Sequence, residues 1–317
     1  MKHFALVGVA GYIAKRHLAA IKNTGNNLRA ALDPRDSVGI LDEYFPETQF
    51  FTEFERFDRY IYNQKSSDAY PEVEFLTVCS PNYLHDSHVR FGLRSGLDVI
   101  CEKPLVLNHW NLDGLKLMEE TTGKKVNTIL QLRLHPEVVK LKAEMESKKR
   151  NAKHDVVLTY ITSRGDWYLQ SWKGDSKKSG GIATNIGIHF FDLLYFLFGA
   201  VQINNVHFKD DTRASGYLEF EQARVTWYLS VDAKDLPETI VAKGKRTFRS
   251  ISVDKQEFEM SDGFSDLHNL SYKRIMEGNG FDIEEARASI SVVADIRNSR
   301  IKSRFTGEHP FLNRIIR

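Results

Sequence analysis

The chain of 317 residues predicts an α/β domain followed by an α+β domain. Over residues 1–133, short apolar strands alternate with amphipathic helical runs, the pattern of a doubly wound parallel sheet. Over residues 134–317, strands follow one another with fewer helices between them, the pattern of a mostly antiparallel open sheet. A strand, a glycine turn and a helix open the first domain, the context in which a turn of small residues can cradle a ligand.

Composition narrows the class. Hydrophobic residues make up 42% and charged residues 27%, ordinary values for a globular protein. With 44 basic and 42 acidic residues the formal net charge is +2, which argues against a dedicated nucleic-acid binder. No apolar run reads as long enough to span a membrane. The opening MKHFALVGVAGY carries a basic residue and an apolar run, as a signal peptide does. That run is short and is followed by Lys15-Arg16, so a first strand fits it better. Cys79 and Cys101 have no metal-ligand spacing; they read as reduced, buried thiols of a cytoplasmic protein.

Residues 4–9 form the first strand; Gly8, Gly11 and Ala14 then make a G-x-x-G-x-x-A turn into a helix over 17–22. Small residues there let a pyrophosphate approach backbone N–H groups at a helix N-terminus. A second strand over 28–32 ends at Asp33, where an acid binds the ribose 2′-hydroxyl of a dinucleotide and repels a 2′-phosphate, favouring NAD over NADP. Asp33 also suits a turn before Pro34, and Arg35 lies close by. Residues 40–70 carry loosely defined helices. A buried strand over 72–80 runs into the polar loop Pro81-Asn82-Tyr83-Leu84-His85. A helix over 86–95, a strand over 98–101, a helix over 111–121 and a last strand over 126–133 complete the first domain. In the second, a helix over 136–148 and a strand over 155–162 precede an aromatic, charged loop holding Arg164, Trp172 and Lys173. Strands come next near 203–209, 215–221, 223–231, 238–243 and 246–253, then helices over 267–277 and 283–302. The basic run 148–153 reads as a solvated turn.

Two stretches carry chemistry. The strand over 98–101 ends in Glu102-Lys103-Pro104, and strand ends are where open α/β sheets bind ligands. Proline limits the conformations of Lys103, which is either a positioned ammonium or half of a solvated pair. The run 181–198, GIATNIGIHFFDLLYFLF, is apolar nearly all round and predicts a buried helix. Asn185, His189 and Asp192 share one face of it. They form either a satisfied core network or a stripe facing a cleft, with His189 as proton acceptor.

The glycine turn, Ser80-Pro81-Asn82 with His85, Glu102-Lys103-Pro104, Trp172-Lys173 and the helix from Gly180-Gly181 to Asp192 together resemble the Gfo/Idh/MocA oxidoreductases. The family usually has Asp in place of Asn185 and often Arg in place of Lys173. Those departures, with the runs 162–175 and 183–192, resemble its bacterial UDP-N-acetyl-2-amino-2-deoxyglucuronate dehydrogenase subgroup. The resemblance implies a Rossmann domain and NAD-dependent oxidation of the 3-hydroxyl of UDP-N-acetylglucosaminuronate, for lipopolysaccharide O-antigen acetamido-sugars. It further implies 2-oxoglutarate as a possible co-substrate that reoxidises NADH, a cytoplasmic homotetramer, and a cis peptide before Pro104. It implies that Gly8, Gly11, Tyr12, Ile13, Asp33, Ser80, Asn82, His85, Glu102 and Lys103 line the dinucleotide, with Trp172 and Lys173 reaching over. Lys103, Gln131, Arg164, Asn185 and His189 would bind substrate, and Lys103 and His189 would be catalytic, with no metal. Two other readings stay open: a dehydrogenase of a free sugar or cyclitol, and a non-catalytic NAD-binding regulator.

Overall fold

Six parallel strands build the first sheet of the computed structural model, which describes residues 1–64, 72–147, 152–258, 266–302 and 308–312. They are β1 (His3–Val7), β2 (Asn27–Leu32), β3 (Gln49–Phe51), β4 (Phe75–Val78), β5 (Asp98–Cys101) and β6 (Val126–Thr128). Their order is β3-β2-β1-β4-β5-β6, so the winding reverses between β1 and β4. Such a switch point leaves a crevice at the carboxyl ends of the strands. Every residue of β4, and Phe4 to Val7 of β1, is buried, because helices cover both faces of the sheet. That two-sided burial is why these strands are legible as continuous apolar runs.

The expected strand over 126–133 is shorter than the sequence suggested. It stops at Thr128, whose N–H donates to Phe281 O at 2.8 Å, and a 3-10 turn follows over Gln131–Leu134. Phe281 belongs to a segment that returns late in the chain. Met1–Leu134 and Phe264–Arg287 form one compact unit, and His135–Gly263 with Ala288–Arg317 forms the other. The expected division at residue 133 is therefore corrected: the second stretch is interrupted, and Leu267–Met276 is a helix of the first unit. Tyr272 and Ile275 of that helix join the same apolar core as Ala14, Leu18 and Ile21. The loosely assigned region 40–70 contains helices Ile40–Tyr44 and Phe54–Gln64 and the unforeseen edge strand β3; residues 65–70 lie outside the described part.

The second unit holds β7 (His154–Thr162), β8 (Val201–Lys209), β9 (Arg213–Phe220), β10 (Ala223–Ser230), β11 (Thr247–Val253) and β12 (Gln256–Glu257). Their order is β12-β11-β7-β10-β9-β8, antiparallel except for the parallel pair β7 and β10. The strand expected at 238–243 is instead a helical turn, Glu238–Val241. Pro237 opens it with φ −56°, and Glu238 puts a negative charge in its first turn. Of the basic run, residues 148–151 lie outside the described part, while Lys153 donates to Glu219 at 2.6 Å and Phe220 O at 2.8 Å.

One face of this sheet is covered by a helix in two parts, a π-helical turn Ala183–Gly187 and an α-helix Ile188–Phe198. Phe190 packs on Tyr160 and Phe191 meets Trp227 edge to face, with ring centroids 4.8 and 5.3 Å apart. Gly216 makes room for the indole: a Cβ there would lie 2.7 Å from Trp227 Cζ2. The other face is covered by residues 308–312, where His309 Nε2 lies 3.0 Å from Thr159 Oγ1 and its ring stacks on Tyr228. Ser176–Phe198 is long and apolar enough to cross a membrane by length and composition, which corrects the reading that no run is. Most of it is buried against the unit's own sheet, as a core helix is.

Phe191 is fully buried at the centre of this packing. Phe191→Ala should destabilise the protein by about 3–5 kcal/mol, the cost of emptying an aromatic site that cannot collapse. Denaturant unfolding checks this, and a loss under about 1 kcal/mol would contradict it.

Candidate active site

In the first unit, β1 leads into the glycine turn because nothing larger fits. Gly8 has φ +88°, and a Cβ there would lie 2.6 Å from the Cys79 carbonyl carbon and the Ser80 nitrogen. Gly11 closes on Gly8 O, 3.0 Å from where its own Cβ would be. Tyr12 at the turn is 91% exposed and Ile13 is half-buried. The helix Ala14–Asn23 then starts with no side-chain cap and no acidic residue in its first turn. A helix N-terminus without its own anion suits a phosphate group. Asp33, buried at the end of β2, accepts from Ala10 N–H and Arg35 N–H, each at 3.0 Å. It thereby ties the glycine turn to β2, and its carboxylate still has lone pairs for ribose hydroxyls.

The loop after β4 is fastened to the Lys103–Pro104 peptide, which is cis. His85 is buried, with Nδ1 at 2.6 Å from Pro104 O and Nε2 at 2.8 Å from Ser80 O. Burial pushes its pKa down although both carbonyls favour protonation, so a neutral ring donates to one carbonyl at a time. Ser80 Oγ lies 2.9 Å from His88 Nδ1, and burial with the neighbouring His85 pushes His88 down to about 4. Asn82 is buried in the same loop.

Glu102 follows β5 and is 4% exposed. Its Oε1 accepts from His17 Nε2 at 3.0 Å and His268 Nε2 at 3.1 Å, and its Oε2 from Lys103 N–H at 3.1 Å. Burial works against its charge, but the two imidazoles outweigh it and hold the carboxyl well below the usual range. His17, pushed down by burial, stays neutral; its Nδ1 lies 2.8 Å from the Tyr272 hydroxyl, which meets Thr77 Oγ1 at 3.0 Å. The three ligand atoms of His17, Glu102 and His268 lie within 4.8 Å of one another, and hydrogen bonds account for that closeness. Gln131, in the 3-10 turn after β6, is buried with Oε1 lacking a hydrogen-bond partner.

In the second unit the helix of the predicted stripe is buried from Ile182 to Leu194 except at Asn185 and His189. Asp192 departs from the expected face: it is 2% exposed and sits with the core residues. Asn185 lies in the π-helical turn, a local widening that recurs at functional sites. Its Nδ2 donates to the buried Tyr168 hydroxyl at 2.6 Å. Burial raises the Tyr168 pKa, opposed by Asn185 and by the nearby charge of Arg164. Arg164 itself is exposed just beyond β7. Lys173 Nζ stands 4.6 Å from the Trp172 ring centre and 5.7 Å from that of Trp167. Lys178 pairs loosely with Asp175 at 3.9 Å.

The first unit thus gathers Gly8, Gly11, Asp33, Ser80, His85, Glu102 and Lys103 around the ends of β1, β2, β4 and β5, with Gln131 after β6. The second gathers Arg164 and Asn185 about Tyr168, holds His189 in the α-helix that follows the turn of Asn185, and pairs Lys173 with Trp172. Tyr168, His17, His88, His268 and Tyr272 were not foreseen. Only Tyr168 carried a signal, as a large aromatic inside a charged loop.

Residues 2–129 match the Gfo/Idh/MocA oxidoreductase family, NAD-binding Rossmann fold, and residues 153–297 match that family's C-terminal alpha/beta domain; the chain belongs to this family. Among solved structures it is similar to the WlbA (WbpB) dehydrogenase from Thermus thermophilus. The complex of that protein with NAD and alpha-ketoglutarate is 48% identical with TM-score 0.94, covering 98% of this chain and 100% of that one. Its complex with NAD and UDP-GlcNAcA is 47% identical with TM-score 0.93 at the same coverage. Glucose-6-phosphate 3-dehydrogenase from Bacillus subtilis is 27% identical over 222 residues, 62% of this chain and 54% of that protein. The chain spans about half the length of the curated relatives it matches.

Several histidines here are held neutral below their ordinary pKa of 6.5: His17 and His85 by burial, His88 and His309 down to about 4. A group depressed in the folded state contributes stability that is complete above its unfolded pKa and is lost as pH falls. Stability should be flat above pH 6.5 and fall between there and about 4, by up to about 1.4 kcal/mol per pH unit for each such histidine. Thermal melts across that range check this; a flat profile down to pH 5 would contradict it.

Proposed function

We propose that this protein oxidises the 3-hydroxyl of UDP-N-acetylglucosaminuronate to the 3-keto sugar, in the making of acetamido-sugars for bacterial O-antigen. The observation that carries the reading is the pairing of Asn185 and His189 as the two positions left partly open within the otherwise buried stretch Ile182–Leu194. The Thermus thermophilus relative, which matches over its whole length and is in complex with NAD and UDP-GlcNAcA, supports the substrate. NAD, when bound, supplies the hydride acceptor. His189 takes the proton of the hydroxyl as hydride leaves the carbon. Lys103 Nζ donates to the same oxygen and stabilises its developing charge. Tyr168 steadies the Asn185 carboxamide, which holds sugar hydroxyls. Arg164 takes the uronate carboxylate in a two-pronged fork, and its charge already acts on Tyr168.

The dinucleotide is lined by Gly11, Tyr12, Ile13, Asp33, Ser80, Asn82, His85, Glu102, Trp172 and Lys173, with Gln131 toward the substrate. A 2-oxo acid such as 2-oxoglutarate would serve as the co-substrate that takes the hydride back from the reduced cofactor, with the protonated His189 giving its proton to the keto oxygen so that a 2-hydroxy acid results. The alpha-ketoglutarate complex of the relative supports this. A cytoplasmic homotetramer completes the reading.

Lys103→Met and His189→Ala should each lower kcat by about 10²–10⁴ while leaving the fold intact. Steady-state kinetics with circular dichroism test this. Near-wild-type kcat for His189→Ala across the pH range would make the helix stripe structural.

With NAD and 2-oxoglutarate present, the uronate should be turned over far better than UDP-N-acetylglucosamine. Arg164→Ala should remove most of that preference, about 1.5–3 kcal/mol for a hydrogen-bonded charge. Equal use of the two sugars would defeat the carboxylate pocket. Turnover of neither would favour a free sugar or cyclitol as substrate.

A further inference from the structure

We propose that Glu102 is a fixed buried anion that makes the first unit bind the oxidised nicotinamide cofactor in preference to the reduced one. This deepens the NAD reading and rests on it. The carboxylate is out of water, and each contact on its oxygens comes from a nitrogen that donates: His17 Nε2 and His268 Nε2 on Oε1, and Lys103 N–H on Oε2. None of these partners needs a carboxyl proton.

The chain of hydrogen bonds behind His17 keeps that histidine from cancelling the charge. Its Nδ1 accepts a hydrogen bond from the Tyr272 hydroxyl, whose oxygen accepts one from the Thr77 hydroxyl. A neutral His17 satisfies every one of these bonds, and burial disfavours adding a second proton. His268, on the same oxygen as His17, needs only its Nε2–H to make that bond, and the remaining titratable groups around Glu102 are Tyr272, Cys79, Cys101 and His85 with Lys103. Burial and the charge of Glu102 together keep both thiols protonated, so they add no charge of their own. Lys103 acts on His85 as a positive charge.

The chemistry turns on the sign of these charges. The oxidised nicotinamide ring carries one positive charge, which it loses on accepting hydride. Glu102 is the first residue beyond β5, at the strand ends where an open parallel sheet binds its ligand. A lysine there, alone, repels the oxidised ring and not the reduced one. An anion one residue away balances the lysine and restores affinity for the cation. A unit charge near a bound cation in a site shielded from water changes a binding constant by about tenfold or more. Placing the carboxylate on two imidazoles, with its charge confined and its geometry set, keeps that effect from being lost to solvent.

The test is a pair of titrations into the full-length protein, NAD⁺ by calorimetry and NADH by its fluorescence. Glu102→Gln should weaken NAD⁺ about tenfold and change NADH by less than about twofold. Lys103→Met should move the ratio of the two affinities the other way. Tyr272→Phe, which removes a hydroxyl behind His17 and leaves the charge, should keep the ratio within about twofold of wild type. Equal weakening of both forms in Glu102→Gln would make the carboxylate merely structural and overturn the inference. If thermal melts show that Glu102→Gln does not fold, an unchanged ratio in Lys103→Met overturns it instead. Wild type that binds neither nucleotide would overturn the cofactor reading as well, whereas an unchanged ratio would overturn this inference alone.

Discussion

A carboxylate in the interior of the first unit imposes more on this structure than any other single group. Burying a charge costs several kcal/mol unless partners replace the water it gives up. Glu102 finds three, on three different segments: the helix after the glycine turn, its own following peptide, and a helix that comes back from near the end of the chain. The return of Leu267–Met276 to the first unit is thus a polar requirement as well as an apolar one. Its Tyr272 and Ile275 extend the core beside Ala14 and Leu18, while His268 and the Tyr272 hydroxyl reach the carboxylate and the histidine that holds it. Removing one partner leaves a buried group unsatisfied, so these side chains stand or fall together.

The second unit solves a related problem with a helix. A helix apolar all round needs burial on every side, and Ile182–Leu194 has it except at two positions. The turn that carries Asn185 is π-helical, one residue wider per turn than the helix it feeds. Gly180 and Gly181, at φ +83° and +78°, bring the chain into it from the preceding short helix. The Tyr168 hydroxyl then accepts a hydrogen bond from the Asn185 amide inside the unit, so the carboxamide is held by a buried hydroxyl. Both units place a polar group against the core and give it a local partner that fixes its direction.

These constraints decide how much was legible in the chain alone. Strands of the first sheet are buried on both faces, and their apolar runs needed no partner to be recognised. The glycine turn was legible because Gly8 stands where no Cβ fits and Gly11 where one would press on the Gly8 carbonyl oxygen. The edge strand β3 was not, since three residues with half-exposed phenylalanines carry no period. Nor was the helix at Glu238–Val241, where a β-branched Thr-Ile-Val run favours a strand while Pro237 sets the backbone for a turn. Asn185, His189, Glu102 and Lys103 stood out as ionisable or polar residues in apolar company. Their supports did not: His17 and His268 are 251 positions apart (268 − 17), and periodicity says nothing about which helix crosses which.

Asp192 shows where the one-face argument overreached. On an ideal helix it shares a face with His189 and Asn185, yet it is buried among the core residues while they stay half-open. His189 and Asp192 lie in one uninterrupted α-helix, and three residues leave them roughly 60° apart on its surface, enough to turn Asp192 toward the core; the π-helical turn bears on Asn185 alone. An extra residue per turn rotates the preceding segment relative to the α-helix beyond it, so Asn185 cannot keep the angular relation to Asp192 that an uninterrupted α-helix would give. Sequence spacing places side chains on a common face only where the backbone period is constant. The same interruption that spoiled the spacing rule brings Asn185 to the Tyr168 hydroxyl, so the irregular turn is what orients the polar side chain in an otherwise apolar helix.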